Sequence, residues 1–137
     1  MARILAIDYG KKRTGLAVTD PLKIIANGLT TVNTQDLFDY LKAYTAKEDV
    51  EKIIIGLPYQ LDGSPTDATP SVLHCIRRLK NSFPNIPIVP VDEQFSSKMA
   101  SRAMVDMGMK KKDRQKKELI DEIAATIILQ EYMQANP

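Results

Sequence analysis

The chain has 137 residues, 44% hydrophobic and 26% charged, which predicts one soluble globular domain with its own core. A net charge of +2 is too small to mark a nucleic-acid binder by itself, so the distribution of charge carries that question. The single cysteine, Cys75, excludes an internal disulfide and a multi-cysteine metal site, and fits a reducing compartment. The longest apolar stretch near the C-terminus, Ile123–Leu129, is far too short to span a bilayer. The first strand begins within three residues of Met1, leaving no room for a signal peptide, so the expected location is cytoplasmic and away from membranes.

Arg3–Asp8, Thr14–Thr19 and Gly28–Val32 read as three short strands joined by turns at Gly10–Arg13 and at Asp20-Pro21. Connections this tight favour antiparallel pairing, hence a β-meander. Thr34 is placed to cap a helix that carries Leu37, Leu41 and Tyr44 on one face. Lys52–Gly56 is uniformly aliphatic, as a central parallel strand tends to be. Leu57 to Pro70 has turn residues and no periodicity, so it reads as a long loop of the kind that often carries function. Thr69-Pro70 opens the next helix in cap-then-proline order, with Val72, Ile76, Leu79 and Phe83 at core spacing. Pro87–Asp92 forms a further strand, its prolines suggesting an edge or a strand beginning. Ser96 or Ser97 caps a helix running to Met107 and closed by Gly108; Leu119 to Met133 forms the last helix. The order predicts an α/β fold with a mixed five-stranded sheet and helices on both faces. Without repeats, low-complexity tracts or linkers, residues 1–137 read as a single domain.

Chemistry concentrates at three acids. Asp8 ends an aliphatic strand and opens a hairpin whose turn holds Lys11, Lys12 and Arg13, a place suited to a cation or a phosphate. Glu93 lies immediately past the Pro87–Asp92 strand, at the strand end where open α/β sheets put their ligands. On the last helix, Ile120, Ile123, Ala124, Ile127 and Ile128 share a stripe, with Asp121 on its flank and Glu122 turned towards solvent. The small Ala124 and Ala125 would let that helix approach the sheet and carry Asp121 over it. Three carboxylates gathered without matching basic groups repel one another, and divalent cations with a taste for hard oxygen ligands, Mg²⁺ or Mn²⁺, relieve the repulsion. Spacing alone leaves a plainer reading open, since an Asp after a strand usually makes a turn and one early in a helix usually serves the helix dipole. Asp20, Asp62 and Asp67 read as turn formers, Asp92 as facing the opposite side from Glu93, and His74 as a surface helix residue. Cys75 reads as a small packed apolar group.

Asp8-x-Gly10-x-x-Arg13-x-Gly15, Gly56-Leu57-Pro58, Asp92-Glu93 and Asp121-x-x-Ala124-Ala125 together resemble the YqgF family, also called RuvX, over essentially the whole chain. That resemblance implies an RNase H-like fold, and an activity described either as Holliday junction resolution or as maturation of precursor 16S ribosomal RNA. It implies that Asp8, Glu93 and Asp121 are the catalytic metal ligands. The corresponding mechanism is metal-assisted phosphodiester hydrolysis with two Mg²⁺ or Mn²⁺ ions about 4 Å apart, leaving a 5′-phosphate and a 3′-hydroxyl. One departure stands out: the family usually has Arg after the Asp-Glu pair, and this chain has Gln94, which keeps a hydrogen bond but loses charge and fork.

Substrate contact is expected to be electrostatic. Lys11, Lys12, Arg13 and Gln94 flank the acids, and Lys110, Lys111, Lys112, Arg114, Lys116 and Lys117 form a basic run just before the helix of Asp121. With 6% aromatic residues, stacking on long single strands is disfavoured, and a duplex, a junction or a folded RNA is expected; the family resemblance implies structured RNA, with ribosomal precursor particles as its setting. Branched DNA is the alternative; junction resolution requires a dimer cutting paired strands, and no clear apolar dimer helix stands out. A non-catalytic nucleic-acid-binding module is a further reading, against which the presence of all three acids counts. A sugar-kinase or actin-like ATPase would need two such domains around a cleft, and the chain has length for one.

Overall fold

The computed structural model describes residues 2–59, 62–93 and 117–136. Five strands form one sheet: β1 Arg3–Asp8, β2 Arg13–Thr19, β3 Ala26–Asn33, β4 Val50–Pro58 and β5 Ile88–Glu93. Their order across the sheet is β3-β2-β1-β4-β5. β1, β2 and β3 pair antiparallel as the tight turns require, whereas β4 and β5 run parallel to β1. The helices are α1 Leu37–Lys47, entered through a 3₁₀ turn at Thr34–Asp36, α2 Thr69–Ser82 and α3 Lys117–Ala135. The helix expected from Ser96 or Ser97 to Met107 lies outside the described residues.

Strand alternation sorts the sheet into two unlike faces. Leu5, Ile7, Leu16, Val18, Ile53, Ile55, Leu57 and Ile88 face α1 and α2, where they pack on Leu37, Leu41, Val72, Ile76, Leu79 and Phe83. This is the thick side of the core, built from large aliphatic side chains. The other face is thin: Ile4, Ala6, Ala17 and Ile54 meet Ala125, Ile128 and Leu129 of α3. Small residues on both partners let the helix lie close against the strands. Lys52 Nζ donates to Tyr132 Oη at 2.7 Å and ties the C-terminal end of α3 to β4.

Two threonines placed as helix caps have other tasks. Neither the turn at Thr34 nor α2 has a side-chain cap hydrogen bond. Thr34 Oγ1 donates to the Gly10 carbonyl at 2.5 Å and lies 2.9 Å from Thr14 Oγ1, and the Thr34 amide donates to the Lys12 carbonyl at 2.9 Å. Thr69 Oγ1 donates to the Pro58 carbonyl at 2.5 Å and accepts the Thr66 amide at 2.8 Å. Both hydroxyls clamp loops at the same end of the sheet, because a buried loop carbonyl needs a donor more than an exposed helix start needs an acceptor.

Asp20 and Asp62 do form turns. Asp20 accepts the amides of Leu22, Ile24 and Ile25, and these hydrogen bonds, Ile25's foremost, hold its carboxyl below the ordinary carboxylate range. Asp62 accepts the Ser64 amide at 2.9 Å. His74 is exposed on α2, as is Asp92 on β5. Cys75 is buried in the thick core, and burial pushes its thiol up to about 11. At pH 8 the native protein is therefore expected to react with a disulfide reagent roughly a hundredfold more slowly than the protein unfolded in guanidinium. Equal rates would mean that Cys75 is not packed as described.

Candidate active site

The site is built where β1 ends. Asp8 is the last residue of β1, the middle strand of the sheet, and pairs across the hairpin with Gly15 of β2. Alternation puts Asp8 in the row of Ile4 and Ala6, on the α3 face. Gly15 lies on that face too, beneath the backbone of α3: a Cβ there would run into the Asp121 carbonyl and come within 2.9 Å of the Glu122 amide nitrogen. The helix thus rests on the Gly15 backbone at the residue that carries Asp121. Since Gly15 is the neighbour of Asp8 in the register, one contact brings Asp8 and Asp121 together.

The face of α3 turned to the sheet differs from the expected stripe. Ala124, Ala125, Ile128 and Leu129 are buried, whereas Ile120, Ile123 and Ile127 are only half-buried. The buried face is centred on the Asp121–Ala125 line, so Asp121 belongs to it rather than flanking it. Glu122 is not turned to solvent: it is half-buried, and its Cγ lies 2.8 Å from where a Cβ on Gly28 of β3 would stand. Small residues explain the rotation, because Gly15, Ala17, Ala26 and Gly28 open a shallow channel that accepts the polar flank of the helix. The signal for this was an isolated glycine within a strand, which marks close approach of another backbone.

Glu93 closes β5 rather than following it, paired with Pro58 of β4. Its register position continues the row of Val89 and Val91, which pack on the α3 side. The backbone thus carries Glu93 to the same end of the sheet, two strands from Asp8; its side chain lies outside the described residues. Among the described residues no three His, Cys, Asp or Glu groups gather closely enough to hold a metal ion. The pair Asp8 and Asp121 nevertheless has the donor chemistry for Mg²⁺ or Mn²⁺, two hard oxygen ligands beside a partly desolvated strand end.

The acids do not stand without a basic neighbour, in contrast to the expectation from spacing. Arg13, the first residue of β2, lies on the α3 face, and its Nε donates to Asp121 Oδ2 at 3.2 Å. Both side chains are partly buried, 29% and 26% exposed. Lys11 and Lys12 are exposed in the hairpin turn. Lys117 begins α3, with its side chain outside the described residues, as are Gln94, Lys110, Lys111, Lys112, Arg114 and Lys116 altogether. No described helix is long and apolar enough to cross a membrane.

A mixed five-stranded sheet of this order, with a carboxylate at the end of its middle strand and a second delivered by the helix across it, is an RNase H-like fold. Solved structures of that fold align over nearly the full length. RuvC of T. thermophilus in complex with a Holliday junction substrate superposes with a TM-score of 0.55 at 15% identity, covering 98% of this chain and 95% of that one. The chain belongs to the RuvX family, whose model, described as Holliday junction resolvase, matches residues 2–135. Among its relatives, the Bacteroides thetaiotaomicron protein named "Putative pre-16S rRNA nuclease" is 53% identical over 98% of both chains. The Phocaeicola vulgatus protein of the same name is 54% identical over 98% of this chain and 97% of its own.

The contact at Gly15 can be tested directly. Because the group facing it is backbone, Gly15→Ala has no flexible neighbour to displace and is expected to cost about 1–3 kcal/mol of stability. Urea unfolding measures this, and a variant as stable as the wild type would show that α3 does not rest on β2 there.

Proposed function

We propose that this protein is a metal-dependent endonuclease that hydrolyses phosphodiester bonds in the 5′-end maturation of precursor 16S ribosomal RNA. The observation that carries this reading is the seating of Asp121 over Gly15, beside Asp8, in a chain whose relatives bear the pre-16S rRNA nuclease name over their whole length. The likeness to RuvC supports the fold, and nucleases of that class depend on divalent metal.

In this reading Asp8, Glu93 and Asp121 would hold the divalent metal, two Mg²⁺ or Mn²⁺ ions, with Asp8 on the middle strand at the centre of the set. When bound, the metal would supply a water of lowered pKa and stabilisation of the leaving 3′ oxygen. No histidine base is needed, in keeping with His74 lying exposed on α2, on the opposite side of the sheet. The chain's own part is to orient and to hold. Thr34 fixes the β1–β2 turn, so the Lys11 and Lys12 ammonium groups meet backbone phosphates from a rigid mount. Lys110, Lys111, Lys112, Arg114, Lys116 and Lys117, which precede Asp121 in the sequence, would add positive charge for substrate phosphates, and Gln94 would offer a neutral hydrogen bond where the family resemblance leads one to expect Arg. Thr69 holds the Pro58 end of β4 beside Glu93. Products carry a 5′-phosphate and a 3′-hydroxyl.

The test pairs a labelled precursor 16S rRNA fragment with a four-way DNA junction, in Mg²⁺ or Mn²⁺, with Asp8→Asn alongside. Cleavage of the RNA is expected, falling roughly a thousandfold or more in Asp8→Asn. Junction cleavage instead would make the protein a resolvase. Binding of either substrate without cleavage would favour the non-catalytic module.

A further inference from the structure

The one ion pair that joins the β1–β2 hairpin to α3 among the described residues is Arg13 with Asp121, and it involves an acid that the proposed reaction needs for a cation. The two residues are 108 positions apart, so the pair comes from the fold and from no local helix or turn preference. The backbone of Arg13 is held in place: it pairs with Asn33 of β3, and the residue before it gives its carbonyl to the Thr34 amide. The guanidinium stands at the end of a long side chain that is 29% exposed, so it can turn to another acceptor without moving that backbone. Its bonded atom, Nε, meets Oδ2, one of only two oxygens that Asp121 has to offer any cation.

We infer that Arg13 competes with the catalytic cation for Asp121: its guanidinium neutralises the carboxylate until metal binds, then passes to the substrate phosphate. This rests on the reading of Asp8, Glu93 and Asp121 as the metal site. Two electrostatic facts support it. Asp8 and Asp121 are like charges on backbone that the Gly15 contact sets side by side, so positive charge beside them, the Arg13 guanidinium or a metal ion, lowers their mutual repulsion. A divalent ion on Asp121 Oδ2 would then stand within a few ångströms of the guanidinium, and the repulsion between them drives Arg13 off. Once off, a planar fork of donors at a strand end that already presents Lys11 and Lys12 has a phosphate oxygen as its natural acceptor. Arg13 is in this sense a positioning residue for the metal ligand and a contact for the substrate, in turn.

A purely structural ion pair and a competing one have opposite consequences for metal affinity. If Arg13 only held Asp121 in place, its removal would weaken metal binding. If it competes, removal strengthens binding. The experiment is calorimetric titration of Mn²⁺ into the wild type, Arg13→Ala, Arg13→Lys and Asp8→Asn. Arg13→Ala is expected to bind Mn²⁺ several-fold more tightly than the wild type while turning over substrate more slowly, with Arg13→Lys between them in affinity. Unchanged or weaker Mn²⁺ binding in Arg13→Ala, with binding lost in Asp8→Asn, would overturn the competition and leave the metal site standing. Binding unaffected by Asp8→Asn would overturn the site and the competition together. A readout independent of any variant's folding is the Arg13 Nε–H resonance of the wild type. It is expected to move out of its carboxylate-bonded position during Mg²⁺ titration, with the midpoint of a calorimetric Mg²⁺ titration of the same protein, and a resonance that stays put through saturation would overturn the proposal.

Discussion

One backbone contact organises the functional end of this protein. The carbonyl of Asp121 rests where a side chain on Gly15 would stand, and Gly15 is the cross-strand neighbour of Asp8. Everything at the site follows from that seat. It fixes the height of α3 above the sheet, aims the Asp121 line of the helix at the strands, and goes with the full burial of the small Ala124 and Ala125 one turn on. It also puts an acid from the last helix within reach of Arg13 from the first hairpin. A larger residue at position 15 would lift the helix and separate the two carboxylates.

The two faces of the sheet divide the labour. Among the described residues, the large aliphatic side chains under α1 and α2 form the larger of two buried apolar clusters. The α3 face buries fewer residues among those described, and its Ala6, Ala17 and Ala125, with Gly15, allow the close approach that places polar groups at its end. Such a helix needs anchoring at its ends, and it has it: Lys52 bonds Tyr132 at one end and Arg13 bonds Asp121 at the other. The first anchor joins a neutral phenol to an ammonium. The second joins opposite charges at a reactive strand end, where a cation or a phosphate can take either partner away. Thr34 and Thr69 hold the two loops around this end, so exchange of partners by Arg13 leaves the frame in place.

Much of this was legible in the sequence, and for identifiable reasons. The strands of the meander and the two parallel strands are short aliphatic runs with turn residues between them, and such runs have few alternatives. Asp8 was readable because an acid at the end of a buried strand conflicts with its surroundings unless it has a task. Strand ends and helix spacing then made Glu93 and Asp121 candidates beside it, and the RuvX motifs imply the same three acids. What could not be read was tertiary. The rotation of α3 depends on glycines of β2 and β3 that lie about a hundred residues away, so Glu122 was turned to solvent when it faces Gly28. Thr34 and Thr69 stood at helix starts and read as caps, because nothing local reveals a loop carbonyl waiting for a donor. The partner of Arg13 was hidden for the same reason.

The most direct measurement of the central claim, that the Gly15 seat assembles a metal site from Asp8 and Asp121, is the location of bound Mn²⁺ by anomalous scattering from crystals of the wild-type protein. The expected result is a Mn²⁺ peak at the end of β1, ligated by Asp8 and Asp121 with Glu93 in the same cluster. Mn²⁺ held elsewhere, or held at that end of the sheet without Asp8 and Asp121, would contradict it.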